Sequence, residues 1–212
     1  MKHILKYTFS FLLVCICTSV FAQVDTTKVI YPKKYGIRLG TDLNKIARNF
    51  YEDNYKGFGI VGDYRINKKI YIAAEVGLEE KFTEETILTN TTEGQYIKLG
   101  IDYNLYENWM DMNNMLYVGG RVGYATYKQT LHDYTIRDLN QYFPPTDRFT
   151  GKEFSGLNAV WVEFVAGVKV EVLNNLFLGA SARLNFLASE SKLDNYENVH
   201  IPGYNKKYSG DI

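Results

Sequence analysis

Basic and acidic side chains recur at alternate positions within apolar segments of this chain. Six basic and six acidic residues share this placement: Arg38, Arg65, Lys98, Arg121, Lys169, Arg183, Asp42, Asp63, Glu75, Asp102, Glu163 and Glu171. Because a charge that leaves water persists when it is paired, equal numbers of both signs on one face predict a neutral network of ion pairs. Nine of these twelve side chains are the candidate site residues of this network: Arg38, Asp63, Glu75, Lys98, Asp102, Arg121, Glu163, Lys169 and Arg183. An ion path lined by these side chains is the alternative.

Patterns for catalysis or metal binding are weak. His132 and His200 lie in polar segments, with Ser155, Ser191 and Ser209 as candidate nucleophiles, and we expect both histidines to be solvated loop residues. The acidic runs lack the spacing of an EF-hand, and there is no HExxH, Walker or dinucleotide-binding glycine motif. The sequence therefore predicts no catalytic residue, no metal site and no cofactor, and we expect a protein that is not an enzyme.

The charged positions alternate with uncharged ones, which is the period of a β-strand. Seven segments show this pattern, and in each of them one face carries no charge. They span residues 35–43, 57–66, 70–78, 97–105, 116–124, 160–170 and 176–186. The sequence predicts an all-β, antiparallel, up-and-down sheet.

A face without charge in every strand is what a sheet in contact with lipid requires. An Arg or Lys at the bilayer midplane of a barrel costs about 2–4 kcal/mol. In a barrel of about eight strands, the opposite face encloses a space that side chains fill. The pattern therefore predicts a transmembrane β-barrel with a charged interior.

The N-terminus resembles a secretory signal. Lys2 and Lys6 precede an apolar run from Phe9 to Phe21, and cleavage is expected after Ala22. Cleavage would remove both cysteines, which excludes a disulfide scaffold. The chain has 24 basic and 24 acidic residues, so its charge does not suggest binding to nucleic acid. We expect a signal peptide at 1–22, a periplasmic lead-in at 23–34 and one barrel domain at 35–212.

The connections between the predicted strands alternate in length. Residues 67–69 and 174–175 are tight hairpin signals, whereas 44–56, 79–94 and 127–157 are long and polar. Outer-membrane barrels have short periplasmic turns and longer external loops. Within the first long connection, Leu43 to Tyr51 suits a helical turn. Aromatic side chains in the 127–157 segment are the candidate contact residues for an external partner: Tyr127, Tyr134, Tyr142 and Phe143.

Several segments resemble small outer-membrane barrels of the OmpX and OmpA type, and more narrowly a branch of the porin-like superfamily that consists of a domain of unknown function. The similarity is carried by the segments Gly62–Arg65, Tyr96–Tyr103, Glu107–Trp109, Trp161–Phe164 and Ile201–Tyr204. The resemblance implies an outer-membrane location and no reaction. Proteins of this kind continue beyond the segment matching Ile201–Tyr204 into a final strand.

These patterns together predict a non-enzymatic outer-membrane barrel with a structural or adhesive role. Its expected partners are outer-membrane lipid, the barrel assembly machinery and an external ligand of unknown identity. Two alternatives stay open: a soluble exported barrel of lipocalin type that binds an apolar ligand, and an outer-membrane lipid-modifying hydrolase.

The number of predicted strands is odd, whereas single-chain bacterial barrels have an even number. Residues 188–212 contain Pro202, Gly203 and Gly210 and no spanning alternation. We therefore expect that the sequence is truncated before an eighth strand that starts near Ser209, and that a gap separates the first strand from the seventh.

Overall fold

The computed structural model describes residues 36–85, 88–106, 113–136, 146–193 and 197–206. Seven antiparallel strands form one sheet in which each strand pairs with the next along the chain. Their bounds are β1 Ile37–Thr41, β2 Tyr55–Arg65, β3 Ile70–Glu85, β4 Leu88–Asn104, β5 Met115–Ile136, β6 Thr146–Leu173 and β7 Leu176–Glu190. The predicted all-β, antiparallel, up-and-down fold is confirmed.

The two short turns form as expected. The side chain of Asn67 accepts hydrogen bonds from the backbone of Lys69 and Ile70, at 2.9 and 2.8 Å, and so closes the β2–β3 turn. Asn175 has φ 65° in the β6–β7 turn, a conformation that Asn tolerates better than most residues. These contacts fix the register in which the uncharged faces of adjacent strands lie side by side.

The sheet is strongly curved. Lys169 on β6 contacts Asp63 on β2, and Arg183 on β7 contacts Glu75 on β3. In a flat sheet, strands four places apart would be separated by about 19 Å, at ~4.8 Å per strand spacing. We call the face that carries these four side chains the inner face, and the opposite one the outer face.

Within the described residues, no hydrogen-bonded ladder joins β7 to β1. The guanidinium carbon of Arg38 on β1 lies 5.2 Å from the centre of the Phe177 ring on β7, so side chains approach across this seam. Residues 197–206 contribute the short strands β8 (His200–Ile201) and β9 (Asn205–Lys206), not a spanning strand. In these residues the main sheet thus has seven strands and an unpaired seam, as predicted. The predicted signal peptide (1–22) and lead-in (23–34) lie outside them.

β2 to β7 are longer than predicted on the side of the long connections, whereas β1, predicted at 35–43, is shorter and ends at Thr41. The predicted 127–157 loop is wrong in its extent, because β5 continues to Ile136 and β6 begins at Thr146. Likewise, β3 and β4 occupy most of the predicted 79–94 connection. Beyond the apolar segments the outer positions are polar, so alternation of hydrophobicity, on which the prediction relied, no longer marks the strand.

The predicted helical turn is a helix, α1, at Leu43–Tyr51. Asp42, one of the twelve charged side chains predicted to share one face, instead caps this helix by accepting hydrogen bonds from the backbone of Asn44 and Lys45. At the other end, a hydrogen bond from Arg48 holds the pKa of Glu52 below its ordinary value. In the part of the chain that the structure describes, no helix is long and apolar enough to span a membrane.

Close packing on the inner face depends on glycine. A Cβ on Gly100 would collide with the backbone carbonyl of Gly120 and with Arg121, whereas a Cβ on Gly120 itself would meet nothing. Gly100 thus lets the backbone of β5 and the stem of Arg121 approach β4.

We predict that Gly100→Ala destabilises the protein by about 1–3 kcal/mol, the usual cost of overpacking a close contact. Gly120→Ala, the matched control on the outer face, should change stability by less than about 0.5 kcal/mol. The free energy of unfolding from urea titrations measures both. Equal losses in the two variants would contradict the packing argument.

Candidate functional site

The inner face holds ion pairs in three connected groups along the strands. Nearest the short turns, Asp63 lies between two cations. Its carboxylate contacts Arg38 Nε and Lys169 Nζ, each at 2.6 Å. Arg38 stacks over the Tyr71 ring at 4.7 Å, and Lys169 lies 5.0 Å from the centre of the Tyr117 ring. The faces of the two aromatic rings attract these cations.

The central group is built around Glu75, which is 1 % exposed. Its carboxylate accepts a hydrogen bond from Arg183 Nη1 at 2.8 Å and another from the Tyr96 hydroxyl at 2.9 Å. Lys98 Nζ lies 3.7 Å from Glu75 and 2.8 Å from Glu163, so one ammonium links two carboxylates. Glu163, with 0 % exposure, also accepts a hydrogen bond from the Trp161 indole at 2.7 Å.

Arg121 joins the central group to Asp102. One guanidinium nitrogen lies 3.2 Å from Asp102 Oδ2, and the other lies 3.7 Å from Glu75 Oε2. Asp102 has no second charged partner among the described residues. The structure thus brings all nine side chains of the predicted network into charge pairs on one face.

A third group near the long connections was missed by the sequence analysis. Lys45 of α1 contacts Glu79 at 2.6 Å and also the Tyr96 hydroxyl. Glu79 also accepts a hydrogen bond from the backbone of Gly203 at 2.9 Å, and His200 Nε2 lies 3.4 Å from it. Glu79 lies four positions after Glu75 in β3, so both side chains point to the same face. Extending the predicted strand by one residue beyond Leu78 would have placed Glu79 on the inner face.

Residues 197–204 lie along the inner face; we call this segment the strap. Asn198 accepts a hydrogen bond from the Tyr127 hydroxyl at 2.8 Å, Ile201 is fully buried, and Tyr204 packs edge-on against Trp161 with ring centres 5.9 Å apart. Gly203 has φ 78°, and a Cβ there would collide with the Tyr96 ring. The strap therefore covers the central group from the side of the long connections.

Several expectations need correction. His200 is buried in the strap and is not a solvated loop residue, whereas His132 is exposed and contacts Thr91 Oγ1 at 2.7 Å. Arg65 donates to the Asn67 carbonyl in a turn. Glu171 accepts hydrogen bonds from Asn113 and from the backbone of Asn175. Arg65 and Glu171 therefore lie at the short turns, outside the three groups.

The four residues predicted to contact an external partner do not lie together in one loop. Tyr127 is in β5, not in a loop, and is buried against the strap. Tyr134 is also in β5 and is partly buried. Tyr142 and Phe143 lie outside the described residues.

The geometry gives every charged side chain of the three groups a partner of opposite sign and ties distant strands together. Salt bridges connect β1 and β6 with β2 through Asp63. Others connect β3, β4, β5, β6 and β7 in the central group, and one connects α1 with β3. In the residues described here, no group of three or more His, Cys, Asp or Glu side chains could hold a metal ion.

The fold and the inner network define an all-β protein whose curved up-and-down sheet encloses charged side chains. Residues 4–212 match a family described as a domain of unknown function, DUF6048, and the chain belongs to this family. No curated protein and no solved structure matches the chain.

We predict that Arg121→Ala lowers the free energy of unfolding by about 3–5 kcal/mol, because it leaves Asp102 as a buried, unpaired carboxylate. The double variant Arg121→Ala, Asp102→Asn should lose clearly less than the sum of the two single variants, since the unpaired charge is gone. Lys56→Ala, which breaks the exposed pair with Glu80, is the control and should cost at most about 1 kcal/mol. Additive losses in the double variant would contradict the pairing.

For the strap, we predict that Glu79→Ala accelerates deuterium exchange of the Gly203 amide at least about tenfold, because a hydrogen bond to a buried charge contributes ~1.5–3 kcal/mol. Glu80→Ala is the matched control, since the neighbouring side chain points to the outer face. Faster exchange throughout β3–β6 would report global unfolding instead. Unchanged exchange at Gly203 in a folded variant would show that Glu79 does not hold the strap.

Proposed function

We propose that the protein is a non-enzymatic outer-membrane β-barrel of the OmpX and OmpA type, with a structural or adhesive role and an interior filled by charge pairs. One observation carries the proposal: burial is inverted relative to a water-soluble protein. Leu99 and Ile101 on the outer face are 54 % and 55 % exposed, while Glu75 and Glu163 on the inner face are almost fully buried. A lipid solvent makes this distribution favourable, since the outer side chains then leave water.

The outer apolar surface has the dimensions of a bilayer core. In β6 it runs from Val160 to Val170 without a charge, which is about 33 Å of strand at ~3.3 Å per residue. With the usual strand tilt of about 40°, this gives a height of ~25 Å, the height of the apolar band in known barrels.

A row of charges marks one boundary of this surface. Lys56, Glu80, Glu93 and Lys128 are direct neighbours across β2–β5 on the outer face. The Lys56–Glu80 pair measures 3.3 Å, and Lys128 pairs with Glu93. One outer position nearer the short turns, β2 and β3 carry Phe58 and Leu78. On β4 and β5 the apolar outer side chains begin one position later, at Ile97 and Tyr124, so polarity changes within two to four residues. Such a change is expected where a bilayer core meets its headgroups.

Beyond the charged row, β5 and β6 project past the apolar surface. β5 continues from Lys128 to Ile136, about 26 Å at ~3.3 Å per residue. This projecting hairpin carries Tyr134, and its connection includes Tyr142 and Phe143. It is the part of the protein that we propose for an adhesive contact, whereas the paired charges and the strap leave the interior a structural role.

The lipocalin-type alternative requires an apolar inner face and an outer face suited to water, which is the opposite of the observed distribution. The hydrolase alternative has one supporting contact, between Thr91 and His132. Among the described residues, however, no carboxylate is hydrogen-bonded to the other ring nitrogen of His132, and a base in such a site is usually oriented by a third group.

We predict that the protein inserts into detergent micelles or vesicles as a heat-modifiable barrel, which migrates differently in electrophoresis before and after boiling. Val122→Arg on the apolar outer face should weaken insertion by about 2–4 kcal/mol. Thr130→Arg, on the same strand and face but beyond the charged row, should have little effect. If the folded protein stays in water without detergent and tolerates both substitutions equally, the membrane proposal is wrong.

A further inference from the structure

We propose that α1 is part of the lipid-facing wall and that its apolar face lies in the membrane interface. This inference rests on the proposed membrane location and adds a second element to the lipid-contacting surface. The sequence pattern predicts a long, polar external connection at residues 44–56. The structure motivates a different assignment, because α1 repeats the inverted burial of the strands.

Backbone pairing places α1 in line with β1. The β1–β2 ladder ends at Thr41 and Ile60, so the next part of β2 would have an unpaired edge. The side-chain amide of Asn49 fills that position: it donates to the Gly57 carbonyl at 2.9 Å and accepts from the Gly57 amide at 2.8 Å. One side chain on α1 thus satisfies both backbone groups of Gly57, as a neighbouring strand would.

Both cations of the helix turn away from the outside. Lys45 is buried and contacts Glu79 on the inner face. Arg48 lies 3.8 Å from the centre of the Tyr55 ring and pairs with Glu52 at 2.8 Å. No charged side chain of α1 therefore belongs to its most exposed side, although charged side chains normally occupy the solvent face of a surface helix.

The exposed side of α1 is apolar. Leu43, Ala47 and Phe50 share one helical face, and Leu43 and Phe50 are 61 % and 85 % exposed. Tyr51, which follows Phe50, is also exposed, and an amphipathic ring of this kind suits a membrane–water boundary.

This face continues the outer apolar surface of the sheet. Leu43 follows β1 after one residue, Asp42. The outer side chains Ile37 and Leu39 of β1 are exposed, and so is Phe58 on the strand against which α1 packs. Because the apolar surface continues from the sheet onto α1, which pairs with Gly57 beside Lys56 of the charged row, we assign it one occupant, the lipid at the membrane interface. A helix with an apolar face of this kind gains free energy when that face enters the headgroup and acyl boundary.

Site-directed fluorescence tests the assignment. Cys15 and Cys17 are the only cysteines of the chain and are replaced by Ser, so that single cysteines introduced elsewhere can be labelled with a small fluorophore. The four labelled variants are Phe50→Cys on the apolar face of α1, Asn44→Cys on an exposed polar position of the same helix, Val122→Cys on the apolar sheet surface and Thr130→Cys beyond the charged row. Each is reconstituted in phosphatidylcholine vesicles that contain a fraction of spin-labelled phosphatidylcholine.

We expect the probes at Phe50 and Val122 to be quenched at least about threefold more strongly than those at Asn44 and Thr130. Quenching at Val122 without quenching at Phe50 would overturn this inference and leave the proposed membrane location intact. Absence of quenching at both positions would overturn the membrane location as well. Protection of the Phe50 probe that increases with the protein-to-lipid ratio would show that a second copy of the chain covers α1, and would also overturn the inference.

Discussion

The Glu75 carboxylate is the contact on which the rest of the inner face depends. It is buried, yet it lies within reach of Arg183, Arg121, Lys98 and the Tyr96 hydroxyl. Removing a charge from water costs several kcal/mol, which is recovered only when partners surround it with good geometry. Because these partners come from β7, β5 and β4, the requirement to pair one carboxylate on β3 constrains the curvature of the whole sheet.

Pairing at short range also constrains which residues can stand beside the charges. A Cβ at Gly119 would collide with Asp102, one at Gly123 with the Trp161 ring, and one at Gly167 with the Tyr117 ring. All three glycines lie on the inner face. The long side chains therefore occupy the volume that the glycines leave free, and the charged network and the glycine pattern are two parts of one packing solution.

The existence, order and facing of the strands could be predicted because burial of one face imposes a period of two on the sequence. The same signal placed the nine network residues, from Arg38 to Arg183, on one side of the sheet. It failed where neither face is uniformly apolar, as in β5 beyond Lys128. The periodic signal also failed for the strap, where no period exists. Ile201 to Tyr204 contact the inner face through the Tyr204 ring and the Gly203 amide, and the positive φ of Gly203 allows the turn. None of these features leaves a repeat in the sequence. Lys45 was missed because a cation on a short helix ordinarily faces water.

Glu79 explains why the helix, the sheet and the strap belong to one arrangement. Its carboxylate accepts from Lys45 on α1 and from the Gly203 amide in the strap, while β3 carries it on the inner face. If the strap left, Glu79 and Lys45 would face an open space; if α1 left, Glu79 would lose its closest cation. Each element thus reduces the desolvation cost that the other two would carry. The orientation of α1 then has a single cause. Lys45 must reach Glu79 on the inner face, and because Leu43, Ala47 and Phe50 lie on the opposite side of the helix, this contact turns the apolar face outward.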